Sequence, residues 1–316
     1  MVKLTGIRET ADGYKEARGT GFLISADGYL LTNHHLIEDI SYGYAEVYGG
    51  KVYNFKIVGY EANHDMAVLK IDAENLPHVT LGSSDALNVG DRVTVIGNHL
   101  GELSSTLTVG YVSGKDRIVT SEGTALNLLQ TDAALNPGSS GGPVFNVYGQ
   151  VVGMVSLKLV NTGDQASALE GLGFAVPMDD VKGMIQDLME YGYISGASLG
   201  VMVMDVDAQS QYMGLPAGAF VDSVVAGSAA QKAGIRAGDI IVNLAGYDVD
   251  SVATLTRILL RLEAGETVSV TVYRNGQKVY LNITLDEKAP QQNPPATEPT
   301  VNNDLFDNIM DFIFGF

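Results

Sequence analysis

Asn136-Pro137-Gly138-Ser139-Ser140-Gly141-Gly142-Pro143 sets two hydroxyls among three glycines and two prolines, within a region otherwise apolar and strand-rich. A serine held out of regular structure with small neighbours lets an incoming carbonyl and backbone N–H groups meet at close range, the requirement for presenting a nucleophile. The same composition also suits a plain Gly/Ser turn between two strands. What separates the two readings is whether the rest of the chain supplies a base and an acid in a usable order.

Upstream, Gly19-Thr-Gly-Phe-Leu-Ile24 reads as a strand, Ala26-Asp27-Gly28 as a turn and Tyr29-Leu-Leu-Thr32 as the returning strand. This hairpin delivers Asn33-His34-His35 at a strand end, where an imidazole suits general base work near neutrality; a surface histidine pair is the alternative. After strands at 44–48 and 52–60, Asp65 opens an apolar run, Met66-Ala-Val-Leu-Lys-Ile71. A carboxylate there either caps a turn or orients an imidazole. Strands at 93–97, 107–112, 118–120, 126–131, 144–147 and 151–157 follow with hardly any helical periodicity, so the first half is expected to be a closed or packed antiparallel β architecture.

Chain order narrows the chemistry. Gly138-Ser139-Ser140-Gly141-Gly142 fits G-x-S-x-G, but the α/β-hydrolase fold needs its histidine after the serine, and all five histidines (34, 35, 64, 78 and 99) precede Ser140. An Asp-His-Ser order would need an acid such as Asp27 and an alternating α/β pattern, which is missing. What remains is His35, Asp65 and Ser140 on a β framework, with His34 and Ser139 as neighbours of the same type. Neither His-Glu-x-x-His nor a second histidine pair is present, so no metal is expected.

Composition bounds the rest. The 316 residues suffice for two domains, and 46% hydrophobic with 18% charged residues fits a folded globular chain. The net charge of −18, from 37 acidic and 19 basic side chains, makes nucleic acid and anionic lipid poor partners. With no cysteine, disulfides, thiolate catalysis and Cys-type zinc sites are excluded together. Met1-Val-Lys-Leu-Thr5 has no apolar signal core, so a targeting segment, if the protein works outside the cytoplasm, is expected to precede it.

Gly19-Thr-Gly-Phe-Leu-Ile, Thr32-Asn-His-His35, His64-Asp-Met-Ala-Val-Leu, Ile96-Gly-Asn, Gln130-Thr-Asp-Ala-Ala-Leu-Asn-Pro-Gly-Ser-Ser140-Gly-Gly-Pro and Gly171-Leu-Gly-Phe-Ala-Val-Pro177 together resemble the high-temperature-requirement (HtrA/Deg) serine proteases. The resemblance runs from about residue 15 to 286 and implies a mainly β chain: a chymotrypsin-like double β-barrel followed by an α+β PDZ domain. It assigns Ser140 as nucleophile, His35 as general base and acid, and Asp65 as the group fixing the imidazole tautomer. It places the oxyanion hole on the N–H groups of Gly138 and Ser140, with Ser139 as a further candidate. It further implies an ATP-independent endopeptidase of protein quality control and stress response that cuts unfolded polypeptides after small aliphatic residues. A homotrimer, no cofactor, and a periplasmic or cell-envelope location with an optional N-terminal anchor are also implied. Ala133-Ala134-Leu135 carries no acid, consistent with the lack of a Lys/Arg pocket. Three positions depart from the family pattern: Ser139 and His34 stand where Asn is common, and His99 where Pro is usual. A catalytically silent chaperone or PDZ-based binding protein is the rival expectation.

In the second half, apolar residues at 181, 184, 185 and 188 mark one face of a helix after Pro177, with Asp179 and Asp180 suited to its N-terminus. The expected division is a protease domain over 1–193, a PDZ domain over 194–287, a Pro-rich linker over 288–303 and a short amphipathic segment over 304–316. Ser198-Leu-Gly-Val201 and Ala233-Gly-Ile-Arg-Ala-Gly-Asp239 resemble PDZ blocks. The resemblance implies that N–H groups of Leu199, Gly200 and Val201 hold a peptide carboxylate while the peptide adds to a free sheet edge. The 304–316 segment reads first as a helix docking on this or a neighbouring subunit, and its apolar C-terminal residue Phe316 is also a candidate ligand for that groove, in cis or between subunits.

Overall fold

The computed structural model describes residues 1–10, 13–99, 103–121, 124–157 and 172–288. The expected segment 304–316 and nearly all of the 288–303 linker, with Phe316, lie outside the described residues.

Six strands close the first barrel in the order β1-β2-β3-β6-β5-β4: β1 (Val2–Thr10), β2 (Gly13–Leu23), β3 (Tyr29–Thr32), β4 (Tyr42–Val47), β5 (Val52–Glu61) and β6 (Met66–Ile71). Every pairing with a given register is antiparallel, and closure leaves no free edge. Alternate residues point inward, so Val2, Leu4, Leu23, Leu30, Ala45, Phe55, Leu69 and Ile71 form one buried cluster.

The second sheet holds β7 (Thr80–Leu81), β8 (Arg92–His99), β9 (Leu103–Ser121), β10 (Thr124–Thr131), β11 (Pro143–Phe145), β12 (Gln150–Val155) and β13 (Gly173–Pro177). Its order is β11-β8-β9-β10-β13-β12-β7, and the β11–β12 pairing closes a second ring. Where the sequence suggests separate strands at 107–112 and 118–120, the structure has one 19-residue strand. The Gly114-Lys-Asp116 interruption is absorbed by Asp116, which adopts a left-handed φ of 51° without ending the strand.

Helix α1 (Met178–Tyr191) follows directly, burying Met178, Val181, Met184, Ile185 and Leu188 on one face and ending on Gly192 at φ 76°, whose N–H donates to the Leu188 carbonyl at 3.0 Å. Its two first-turn aspartates meet the positive end of the helix dipole.

The remaining elements are β14 (Ala197–Ser198), β15 (Val201–Asp205), α2 (Ala208–Tyr212), β16 (Ala219–Val224), α3 (Ala229–Ala233), β17 (Ile240–Leu244), β18 (Tyr247–Asp248), α4 (Val252–Leu259), β19 (Thr267–Arg274), β20 (Gln277–Thr284) and β21 (Asp286–Glu287). A sheet β15-β16-β17-β19-β20 packs its inner face on a core that includes Leu199, Val221, Ile241, Leu255, Val270, Val272 and Ile283. Ser228 and Ser251 cap α3 and α4, each hydroxyl accepting from a backbone N–H three residues on. Arg274 grips the buried Asp239 through Nε–Oδ1 at 2.6 Å and Nη2–Oδ2 at 2.7 Å, which holds the guanidinium pKa above its ordinary value.

Contacts divide the described chain into one unit of Met1–Ser113 with Gln130–Ala175 and a second of Gly114–Leu129 with residues 176–288. Within the second unit, Asn127 Nδ2 donates to Asp180 Oδ2 of α1 at 2.9 Å, and Arg257 of α4 lies 3.6 Å from Asp116.

Candidate active site

β3 ends at Thr32, and the chain enters a short 3-10 turn, His34–Leu36, after the buried Asn33. Asn33 Nδ2 donates to the main-chain carbonyl of Asp65 at 3.0 Å, joining the base-bearing turn to the acid-bearing one. Asp65 sits just before β6 at φ 48°, a left-handed conformation that aspartate tolerates better than most side chains. Its carboxylate turns back onto His35. Oδ1 accepts from the His35 main-chain N–H at 3.0 Å, and His35 Nδ1 lies 2.8 Å from Oδ2 and 3.0 Å from Oδ1. A carboxylate only accepts, so the neutral ring that suits this contact carries its proton on Nδ1 and keeps its lone pair on Nε2.

Ser156, fully buried at the end of β12, donates its hydroxyl to Asp65 Oδ2 at 2.6 Å. The next residue reaches the nucleophile loop: Leu157 N–H donates to Ser140 Oγ at 3.3 Å. One dipeptide therefore touches both the acid and the candidate nucleophile. Among the described residues no hydrogen bond joins His35 to Ser140.

The loop itself is pinned by its carbonyls. Thr20 Oγ1 donates to the Gly138 carbonyl at 2.6 Å while accepting from Asn98 N–H at 2.9 Å, and Thr20 N–H donates to the Ser140 carbonyl at 2.9 Å. Gly138 stands at φ 93° and Gly141 at φ 79°, and a Cβ on Gly141 would run into the Thr20 carbonyl. The paired residues of the sequence divide here. Ser139 is fully buried, its N–H donates to the Asn136 carbonyl at 2.9 Å and its Oγ accepts from Asn136 N–H at 3.3 Å. Its N–H is thereby engaged inside the turn in this structure. Among the described residues nothing accepts from the N–H of Gly138 or Ser140. His34 stacks on Tyr60, ring centroids 4.3 Å apart, while the His35 ring meets the Asp65 carboxylate.

Four supporting residues had no sequence signal of their own. Ser156 follows an apolar strand as one hydroxyl, Thr20 lies inside a Gly-Thr-Gly run, Asn33 sits between Thr32 and the histidine pair, and Arg8, which donates to the His35 carbonyl, is one of several polar residues of β1. Among the described residues no cluster of three or more His, Asp or Glu could hold a metal ion, and no helix is long and apolar enough to cross a membrane.

In the second unit, Gly200 stands at φ 72° against Ser228, where a Cβ would collide with the serine Cβ. The carbonyls of Leu199 and Gly200 accept from Ala230 N–H at 2.8 Å and Val225 N–H at 2.9 Å, and Gly200 N–H donates to Ser198 Oγ at 3.1 Å. Val201 begins β15, which pairs with β16 and lies at the end of its sheet, beside α4.

A pair of β-barrels carrying a His-Asp couple and a glycine-framed serine in this chain order defines the trypsin-like peptidase class. Residues 19–154 match the trypsin-like peptidase domain model and residues 196–285 the PDZ domain model. A probable periplasmic serine endoprotease DegP-like of Chlamydia trachomatis is 39% identical over 277 residues, covering 85% of this chain and 54% of that protein. The serine protease Do-like HtrA of Bacillus subtilis is 36% identical over 300 residues, covering 89% and 66%. The chain thus spans about half to two thirds of the length of these relatives. The solved HtrA-type protease AlgW with tripeptide is 30% identical, covers 92% of this chain and 95% of its own, and superposes with a TM-score of 0.71. The chain belongs to the HtrA family of serine proteases.

Proposed function

We propose that the protein is an ATP-independent serine endopeptidase acting on unfolded polypeptides outside the cytoplasm, with its PDZ domain reading C-terminal peptides. The observation that carries the reading is the His35 ring held by Asp65 with its proton on Nδ1, beside a Ser140 hydroxyl tied to the same acid through Ser156-Leu157. In the proposed reaction Ser140 Oγ attacks the scissile carbonyl as His35 Nε2 takes its proton. The oxyanion rests on the N–H groups of Gly138 and Ser140. His35 then protonates the departing amine, and water hydrolyses the acyl-enzyme by the same route. Asp65 stabilises the imidazolium as it forms.

Substrate preference for small aliphatic residues is supported by Leu135, which packs against Gly173 so closely that a Cβ there would stand 2.6 Å from its Cδ1, and by the missing acid at 133–135. The β15 edge next to α4 suits strand addition by a peptide whose carboxylate meets the Leu199-Gly200-Val201 turn, and the relative solved with a tripeptide supports a peptide ligand. The protein's own Phe316 is a candidate for that ligand, a homotrimer is the proposed assembly, and the relatives named periplasmic support the location.

Casein cleavage and labelling by a serine-reactive fluorophosphonate, compared between wild type and Ser140→Ala, test the activity. Absence of Ser140-dependent labelling and cleavage overturns the peptidase reading in favour of a silent PDZ-based binder.

A further inference from the structure

In the turn that carries the catalytic histidine, the Asn33 carbonyl accepts from Leu36 N–H at 3.3 Å, and the His34 carbonyl accepts from Ile37 N–H at 2.9 Å and Glu38 N–H at 3.0 Å. The His35 carbonyl takes no part in this local pattern. It is reached instead from β1, where Arg8 Nη2 donates to it at 2.9 Å across 27 residues of sequence. The same strand braces the rest of the segment: Ile7 accepts from Ser41 N–H at 2.7 Å, and Gly6 leaves room for Ile40, whose Cγ2 would lie 2.7 Å from a Cβ there.

Arg8 is an unusual tenant of this place. It is half-buried, its Nε is buried without a hydrogen-bond partner, and no described carboxylate pairs with it. A guanidinium kept partly out of water with one strong bond, and that bond to the backbone of the general base, is poorly explained as a contribution to stability. An extended strand needs no charge at this position, and the carbonyl could be satisfied by water. The arrangement makes sense if the benefit lies in the position of His35, whose ring must point Nδ1 at Asp65 and Nε2 at the nucleophile within a few tenths of an ångström.

We propose that Arg8 is a positioning residue for the reaction: by holding the His35 carbonyl it fixes the main-chain orientation from which the imidazole spans Asp65 and Ser140. The proposal rests on the peptidase reading for its kinetic consequence, but its structural content is independent of turnover. Arg8→Met removes the donor while keeping the aliphatic stem, Arg8→Lys keeps a single cationic donor, and Arg8→Ala leaves space for a soluble replacement.

The expected kinetic result is a fall in kcat of roughly tenfold for Arg8→Met with KM within about twofold, a smaller fall for Arg8→Lys, and partial restoration of Arg8→Ala by millimolar ethylguanidinium but not by ethylammonium. A merely structural role would lower the melting temperature and would not respond to the guanidinium probe. A readout that needs no activity is the low-field Nδ1 proton of His35, followed by NMR in the Ser140→Ala protein. Adding Arg8→Met is expected to broaden it into exchange with water, because the ring spends less time on Asp65. Unchanged kcat in folded Arg8→Met, loss of kcat that tracks unfolding and is not rescued, or an unaltered Nδ1 resonance would each overturn the proposal. Failure of the peptidase reading would show itself separately, as absence of Ser140-dependent labelling in the wild type.

Discussion

Replacing Asp65 by asparagine changes one atom, and the hydrogen bonds around it dictate where that atom must go. Oδ1 accepts from the His35 main-chain N–H at 3.0 Å, a donor that cannot reverse, so the amide oxygen has to occupy the Oδ1 place and the NH2 the Oδ2 place. Ser156 can adapt, since its hydroxyl can turn from donating to accepting over the same 2.6 Å contact. His35 cannot adapt without cost. Its Nδ1 lies 2.8 Å from the new NH2, so the favoured tautomer makes Nδ1 the acceptor and moves the ring proton to Nε2, the atom that must take the proton of Ser140. Keeping the proton on Nδ1 would leave it the longer 3.0 Å contact to Oδ1 with two donors facing each other at 2.8 Å. A wrong tautomer in such a site costs about 10⁴ in kcat, or about 5.5 kcal/mol at 1.36 kcal/mol per decade. Because every contact stays filled, the fold should lose no more than ~2 kcal/mol. Ser156→Ala supplies the control: it removes one charge-assisted bond worth about 1.5–3 kcal/mol but preserves the tautomer, so its loss should stop near 10- to 100-fold. The assay is single-turnover labelling by a fluorophosphonate with kcat on a peptide substrate, and melting temperature in parallel. Asp65→Asn retaining more than about a tenth of wild-type activity, or falling no further than Ser156→Ala, would refute the reasoning.

Thr20→Val keeps side-chain shape but strands the Gly138 carbonyl and the Asn98 N–H in a buried place, so ~2–4 kcal/mol of stability and about tenfold in labelling rate should be lost, while Thr20→Ser should keep most of both; equal labelling in Val and Ser variants would remove Thr20 from the account. Arg274→Met leaves Asp239, 1% exposed, without its bidentate partner, and calorimetry of the C-terminal unit should register a loss of about 3 kcal/mol. Asp250 is held below the usual carboxylate range chiefly by the Thr254 hydroxyl, against a smaller opposing push from burial. Its contribution is therefore complete above the unfolded aspartate pKa of about 3.9 and disappears as pH falls through the lower folded value. Acid melts should show the C-terminal unit weakening below roughly pH 4, and an acid limb of the same size in Asp250→Asn would assign that weakening to other groups.

How much of this was legible beforehand follows the range of the interactions. Alternation of apolar residues announces strands, and counting histidines ahead of Ser140 decides between peptidase architectures, because both are properties of local sequence and order. The helix at Met178–Tyr191 was visible for the same reason, since Val181, Met184, Ile185 and Leu188 recur at its period. The continuous β9 was not, because a glycine and an aspartate in succession look like a turn until tertiary pairing holds the strand together. The PDZ turn was legible as a block, but the use of Gly200 N–H by Ser198 Oγ was not. Least visible were the residues that align the site. Ser156 acts on Asp65 across 91 positions, Thr20 on Gly138 across 118 and Arg8 on His35 across 27, and a single hydroxyl or guanidinium in a strand carries no periodic trace of such a partner. The resemblance could name the triad but not these supports, which depend on how this chain closes its barrels.

That distinction bears on the glycine-framed loop itself. The bonds around Ser140 occupy the loop's carbonyls and its middle residue: Thr20 takes the carbonyls of Gly138 and Ser140, while Ser139 and Asn136 satisfy each other through N–H, carbonyl and hydroxyl. After this allocation the N–H groups of Gly138 and Ser140 are the donors without an acceptor among the described residues. The position of Ser139, where the family commonly has asparagine, then has a physical meaning of its own: a short hydroxyl accepting from Asn136 N–H closes the turn that keeps the two oxyanion candidates free.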